Sequence, residues 1–143
     1  MASGESMRTL LMSYAFVALG GALGAMARFS LNVMFQRDVE YPWGTLAANL
    51  GGCFLMGILA HLVAYSAWFN DTGWIPDQHR LLFAVGFCGS FTTLSALVLE
   101  MHTLFEKQHY LAAGAYVGTS VLGGYILFFG GYLLMRGFSG NSV

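Results

Sequence analysis

Residues 86–95 read GFCGSFTTLS and interrupt an otherwise apolar stretch of the chain. Two glycines and a run of hydroxyl side chains make this segment a poor helix former. A break in a membrane helix exposes backbone carbonyls, which are tolerated only inside protein, where they can coordinate a cation. We therefore predict a break at this point. The simpler alternative is a helix that is only kinked and rich in serine.

The composition predicts a membrane protein. The chain has 57% hydrophobic and only 9% charged residues, whereas a soluble domain has about 25% charged residues. A spanning helix needs about 20 residues, so four spans use nearly all of the 143 residues. We expect one all-α membrane domain with spans at about 10–35, 43–68, 81–105 and 110–135.

Several function classes have no support. The four histidines show no metal-ligand spacing, and no Ser-His-Asp set, CxxC motif or phosphate loop is present, so we expect no enzyme. A net charge of -1 gives no indication of nucleic-acid binding. Cys53 and Cys88 both lie in apolar segments, where single cysteines are most often small core residues.

The cations are almost evenly divided between the two sides of the membrane. A four-span topology places Arg8, Arg80 and Arg136 on one side, and Arg28, Arg37 and Lys107 towards the other. The positive-inside rule needs an excess on one side to set the orientation. Either other determinants fix the topology, or the protein inserts both ways up and pairs antiparallel.

Small residues at spacings of four predict close helix contacts. Gly20 and Gly24 form one such pair, and Gly114 and Gly118 form another. Four helices of this size cannot easily enclose a pore and shield its polar groups, so we expect an oligomer.

Polar residues within the spans indicate a channel or transporter, because each is costly in lipid. Arg28 is either an arginine that snorkels to the headgroups or a cation that concentrates anions. Asn49, with Thr45 one turn earlier, either bonds a neighbouring helix or aims an N–H at an anion. Glu100, two turns beyond Thr93, is expected at the interface rather than in the interior.

Three segments in order resemble the CrcB/Fluc fluoride channel family: GGALGAMAR at 20–28, GTLAANLG at 44–51 and GFCGSFTT at 86–93. The resemblance implies a dual-topology, antiparallel homodimer in the bacterial cell membrane, surrounded by lipid, that lets cytoplasmic fluoride leave passively. It also implies a broken third helix and a central structural Na⁺, held by the backbone carbonyls of Gly89 and Thr92 from each subunit.

The resemblance also assigns residues to the fluoride pathway. Arg28 matches a vestibule arginine and Asn49 a fluoride-facing asparagine. Thr45 and Tyr116 match a hydroxyl pair, while Ser95 and Ser120 match polar positions.

Four departures from the family pattern concern the same pathway, and one of them is Ala96 in place of a threonine. Leu94 and Leu97 replace phenylalanines whose ring edges carry partial positive charge. The sequence therefore predicts neither the conduction rate nor the selectivity. Phe91, three residues before Leu94, is a candidate replacement for those rings. Gly124 stands where a serine is common.

Two other functions fit parts of the pattern. One is a non-conducting or weakly conducting partner subunit of a fluoride channel, which the two leucines support. The other is a small dual-topology exporter of the multidrug type. Such an exporter of cations needs a membrane-embedded carboxylate, and the first two predicted spans contain no Asp or Glu.

Overall fold

Every secondary-structure element in the part of the chain that the structure describes is a helix. This computed structural model describes residues 2–35, 41–65 and 78–140, with side chains described between residues 7 and 138 of those ranges. The helices are α1 at Ala2–Phe35, α2 at Trp43–Tyr65, α3 at 80–91, α4 at Leu94–Glu106 and α5 at 110–140. Two parts are π-helical, namely Arg80–Cys88 within α3 and Thr119–Gly123 within α5.

Four helical segments are long and apolar enough to cross a membrane. They are Met7–Phe35, Trp43–Tyr65, Arg80–Glu106 and Tyr110–Phe138. The predicted all-α class with four membrane-length helices is therefore confirmed, and the protein is a multi-pass membrane protein. The end of the second predicted span, at 66–68, lies outside the described residues, as does the chain that follows it up to residue 77.

Helix α1 packs along α3 through glycines. A Cβ atom on Gly20 would collide with the carbonyl oxygen of Leu82, and one on Gly24 with the carbonyl oxygen of Phe87. From the other side, a Cβ on Gly86 would lie 2.8 Å from the Val17 carbonyl oxygen. The backbones therefore meet with no side chain between them, as the Gly20 and Gly24 spacing predicts.

Helix α2 packs against the second half of α5 in the same manner. Gly57 lies against the carbonyl of Phe128, and Gly131 lies against the carbonyl of Phe54. Gly114 and Gly118, in the first half of α5, differ from these. A Cβ on either would meet nothing within 4 Å among the described residues. The prediction that this second pair mediates a close contact is therefore wrong within the single chain.

A tight turn joins α4 to α5 and makes them antiparallel neighbours. Gln108 adopts a left-handed conformation, with φ of 60°. The N–H of Gln108 donates to the Phe105 carbonyl at 2.9 Å, and that of His109 donates to the Leu104 carbonyl at 2.9 Å. This is the Schellman pattern that ends a helix and reverses the chain. It brings Tyr116 of α5 back beside α4.

Candidate functional site

The chain leaves the helical conformation at Thr92 and Thr93, between α3 and α4. Both residues are extended, with φ and ψ of −90° and 154° at Thr92 and of −154° and 121° at Thr93. The side-chain hydroxyl of Thr92 donates to the Cys88 carbonyl at 2.9 Å. That of Thr93 accepts from the Ala96 N–H at 3.3 Å and so caps the start of α4. The Thr93 hydroxyl thus satisfies one N–H that the start of α4 leaves open, whereas the Thr92 hydroxyl adds a second bond to a carbonyl that already accepts from the Thr92 N–H.

Asn49 of α2 supplies two further bonds at the same place. Its Nδ2 donates to the Thr93 carbonyl at 3.2 Å, and its Oδ1 accepts from the Thr93 N–H at 2.8 Å. In a continuous helix this N–H would bond to the Gly89 carbonyl instead. Of the two interpretations of Asn49, the hydrogen bond to a neighbouring helix is the one observed. We call this pair of bonds the amide clamp.

A cavity of about 270 Å³ lies beside the amide clamp. Its lining includes four residues predicted for the fluoride pathway and one predicted sodium ligand. In full, the lining is Asn49, Cys53, Thr92, Thr93, Leu94, Leu97, Ser120 and Val121. Leu94 is 75% exposed, whereas Leu97 is 7% exposed. The Oγ of Ser120 is buried and has no hydrogen-bond partner among the described residues.

A second polar cluster surrounds the carboxylate of Glu100. The Thr45 hydroxyl donates to Oε1 at 2.8 Å, and the Tyr116 hydroxyl donates to Oε2 at 2.6 Å. Thr45 and Tyr116 are fully buried. The two hydroxyls of the predicted pair therefore lie close together, because both bond to Glu100. The sequence had led us to expect Glu100 at the membrane interface. The Glu100 side chain is partly buried and bonds to residues of α2 and α5, and its depth in the membrane stays a prediction. We call this group the carboxylate cluster.

Tyr41, which precedes α2, covers the carboxylate cluster from one end. Its ring meets the Tyr116 ring edge-on, with centroids 5.7 Å apart, and lies 4.6 Å from the Trp43 ring. Burial raises the pKa of Tyr41 above its ordinary value, so its hydroxyl stays protonated at neutral pH. The Tyr116 ring therefore packs against an aromatic pair at this end of α2.

The remaining predicted site residues belong to neither group, although Ser95 lies next to the amide clamp. Arg28 is partly buried on α1 and does not line the cavity. Ser95 is exposed, with its Oγ 3.1 Å from the Oγ of Thr93. Gly89 is exposed on the last turn of α3. Phe91 is buried, and its ring stacks on Phe87 with centroids 5.4 Å apart, so it does not replace the missing rings at the cavity.

A signal for Glu100 was present in the sequence. Residues seven apart on a helix share a face, and Glu100 is seven residues beyond Thr93, which closes one end of the amide clamp. Thr45 and Asn49 have the matching four-residue spacing on α2. Thr45 with Asn49 and Thr93 with Glu100 are thus two polar pairs with matching spacing, which indicates that Glu100 faces Thr45. The spacing does not give the depth of Glu100 in the protein.

The sequence comparisons agree on one family. Residues 15–132 match the family described as "CrcB-like protein, Camphor Resistance (CrcB)". The chain is 42% identical over 107 residues to "Fluoride-specific ion channel FluC" of Rhizobium etli (strain CIAT 652), a match covering 73% of this chain and 81% of that protein. A protein of the same name from Leptospira interrogans serogroup Icterohaemorrhagiae serovar copenhageni (strain Fiocruz L1-130) is 36% identical over 128 residues, or 88% of this chain and 96% of the relative. Another, from Caulobacter sp. (strain K31), is 40% identical over 123 residues, or 84% and 91%.

Proposed function

Because the chain belongs to the CrcB-like family, we propose that it is a fluoride-specific ion channel of the cell membrane, through which cytoplasmic fluoride leaves passively. Relatives that cover most of its length carry the name fluoride-specific ion channel FluC. The protein is a channel and not an enzyme. HF crosses a membrane as a neutral molecule and dissociates inside, so fluoride accumulates to toxic levels unless a pore releases it.

The observation that carries this function is a set of hydrogen-bond donors inside apolar spans. One N–H of Asn49 is left over by the amide clamp, and Ser120 brings a hydroxyl without a partner among the described residues to the same cavity. Thr45 and Tyr116 bring two more hydroxyls. A dehydrated fluoride ion needs donors of this kind, since an unsolvated charge is very costly in an apolar environment.

The carboxylate cluster sets a condition on the path. In the structure both hydroxyls donate to Glu100, so a fluoride ion that uses them must compete with a carboxylate. The ion therefore passes when one hydroxyl rotates from Glu100 to fluoride. Arg28 contributes at longer range, by raising the anion concentration near the entrance, and Ser95 adds a hydroxyl at the exposed start of α4.

Efflux of fluoride from liposomes tests this function directly. The purified chain alone, reconstituted into vesicles loaded with fluoride, should release it down its gradient, while vesicles loaded with chloride should retain their contents. A chain that releases fluoride only when mixed with a paralogous channel subunit would instead be a partner subunit. Release of neither ion under any of these conditions would refute channel function.

Glu100 gives a specific reason to test the exporter alternative in the same assay. It is a partly buried carboxylate within a candidate span, the feature that proton-coupled export requires. A passive channel releases fluoride at the same rate with and without a pH gradient once the membrane potential is clamped. Release that requires a pH gradient would favour coupled export.

We propose further that two copies pair antiparallel as a dual-topology homodimer. The near balance of cations supports insertion in both orientations. The first half of α5 also supports pairing, since Gly114 and Gly118 have open space beside them and Leu111 is 89% exposed. The same exposed apolar side chains contact lipid wherever a second copy does not cover them.

Orientation-locked variants separate these possibilities. Two lysines added beside Arg37 should lock the chain one way up, and removal of Arg37 and Lys107 should lock it the other way. In a dual-topology dimer, each locked form alone should lose fluoride efflux, and co-expression of the two should restore it. A single locked form that remains fully active would refute the antiparallel pair.

A structural Na⁺ at the dimer centre is the last part of the proposal, with the carbonyls of Gly89 and Thr92 as ligands. Their chemistry fits a hard cation. The Thr93 N–H bonds to Asn49 and the Ala96 N–H bonds to the Thr93 hydroxyl, so the helical donors to these two carbonyls are diverted. Carbonyls freed in this manner are suitable ligands for Na⁺ in membrane proteins.

Thermal unfolding in defined salts tests the sodium site without a transport assay. The purified protein should melt at a higher temperature in Na⁺ than in N-methylglucamine at equal ionic strength, because a ligand that binds only the folded state stabilises it. Identical melting temperatures in the two salts would exclude a stabilising sodium ion.

A further inference from the structure

One face of α5 carries three buried positions at intervals of four residues. Tyr116, Ser120 and Gly124 are all buried. The first two bring hydroxyl groups to the carboxylate cluster and to the cavity. Gly124 brings no side chain, so the polar group at its level must come from another helix.

Cys53 of α2 occupies that level. A Cβ atom on Gly124 would lie 3.0 Å from the Sγ of Cys53 and 3.8 Å from its Cβ. Cys53 is partly buried and lines the same cavity as Asn49 and Ser120. The glycine therefore makes room for the thiol.

Ser120 gives an independent indication that this cavity holds a ligand. Its side chain is 7% exposed, and its hydroxyl has no hydrogen-bond partner among the described residues. Buried hydroxyls normally have a partner, so this one is available to a group inside the cavity. The thiol of Cys53 and the hydroxyl of Ser120 thus line a space that accepts a small ligand.

We propose that Cys53 is a binding site for soft, thiol-seeking metal cations within the fluoride pathway, and that an ion bound there blocks fluoride. The proposal rests on the proposed channel function. Thiolate sulfur selects soft metals. The described residues hold no group of three His, Cys, Asp or Glu side chains that could chelate a metal. A single thiolate sulfur satisfies a monovalent soft cation.

Methylmercury is such an ion and is the probe we choose. The thiol S–H bond breaks, an S–Hg bond forms, and the proton leaves to solvent, with no change in oxidation state: Cys–SH + CH3Hg⁺ gives Cys–S–HgCH3 + H⁺. The product replaces a small hydrogen with a bulky, apolar group beside Ser120. It fills space in the cavity and donates no hydrogen bond to fluoride.

Cys88 provides the matched control. It is 1% exposed, lies in the core and does not line the cavity. Two single variants, Cys53→Ser and Cys88→Ala, therefore leave one thiol each. Intact mass measures how many methylmercury groups each variant binds, and liposome efflux before and after treatment measures the block within each variant.

The expected result is one methylmercury group on Cys88→Ala, with efflux at least tenfold lower after treatment. Cys53→Ser should bind none under the same conditions and keep its own untreated rate. Block that persists in Cys53→Ser, or a bound Cys53 without block, would overturn the inference. If no untreated protein conducts fluoride, the proposed function fails, and an unlabelled Cys53 in Cys88→Ala would overturn the site independently.

Discussion

The amide clamp and the carboxylate cluster lie one turn apart on α2 and two turns apart along the third candidate span, yet they are built differently. In the clamp, Asn49 bonds to the backbone of Thr93. In the cluster, Thr45 and Tyr116 bond to the side chain of Glu100. A side chain that bonds to backbone fixes the path of the chain. Side chains that bond to one another can rearrange while the helices stay in place, so we assign the shape of the backbone to the clamp and the rearrangement during ion passage to the cluster.

The largest effect is expected from Asn49→Ala. It leaves the N–H and C=O of Thr93 without these partners, at about 1–3 kcal/mol for each unsatisfied buried group. We expect a loss of about 2–6 kcal/mol in the free energy of unfolding and a loss of fluoride efflux. Thermal unfolding of the purified protein and liposome efflux measure the two.

Asn49→Asp is the matched variant for that prediction. It keeps an oxygen for the Thr93 N–H but adds negative charge beside the cavity. It should abolish fluoride efflux while the protein still assembles. Parental efflux in Asn49→Asp would remove this position from the pathway. A parental melting temperature in Asn49→Ala would show that the clamp does not shape the backbone.

The next largest effect is expected in the carboxylate cluster, from Tyr116→Phe. It removes a hydrogen bond to a charged group, worth about 1.5–3 kcal/mol. We expect a drop in melting temperature smaller than that of Asn49→Ala, and slower fluoride efflux because one donor is gone. The same two assays measure these changes.

Glu100→Gln provides the control for Tyr116→Phe. If the two residues act as a pair, the destabilisation by Tyr116→Phe should shrink in the Glu100→Gln background. Fully additive effects on the melting temperature and on efflux would contradict the coupling between hydroxyl and carboxylate.

The fold was largely predictable from the sequence, because an apolar stretch of membrane length can hardly be anything but a spanning helix. The polar positions of α2 were predictable for the same reason, since Thr45 and Asn49 are conspicuous among apolar neighbours. The role of Asn49 was not, because its partner is a backbone group that becomes available only where the helix stops.

Other features depended on partners that spacing does not reveal. Gly20 with Gly24 and Gly114 with Gly118 have the same spacing, but within the described ranges only the first pair faces another backbone. Glu100 lies at the middle of α4, and hydroxyls from two other helices determine that it turns inward. The direction of Phe91 was unpredictable because the extended residues after it change the helical phase.

A smaller effect is expected at the two leucines, which lie along α4 between the clamp and the cluster. Leu94→Phe adds a ring edge where the side chain is exposed. An aromatic edge contact is worth about 1 kcal/mol, which corresponds to about a fivefold rise in fluoride efflux. Leu97→Phe adds a similar contact in a buried position, where overpacking costs about 1–3 kcal/mol.

The two leucine variants therefore differ in a measurable manner. Leu94→Phe should raise efflux with little change in melting temperature, whereas Leu97→Phe should lower the melting temperature. An unchanged rate of fluoride efflux in folded Leu94→Phe, and in the variant that carries both Leu94→Phe and Leu97→Phe, would show that the polar donors suffice. These two positions would then not control fluoride throughput.

The smallest effect is expected from Thr93→Ala, which separates the contribution of the Thr93 side chain from that of its backbone. The bonds to Asn49 use the Thr93 backbone and should survive, while the hydroxyl that caps Ala96 is lost. Loss of an N-cap costs about 0.5–2 kcal/mol. The capping distance of 3.3 Å is long, so we expect the lower end of that range. Thr93→Ser keeps the hydroxyl and should melt like the parent. A Thr93→Ala variant as unstable as Asn49→Ala would mean that the threonine hydroxyl, and not the asparagine amide, holds the chain in its extended course between α3 and α4.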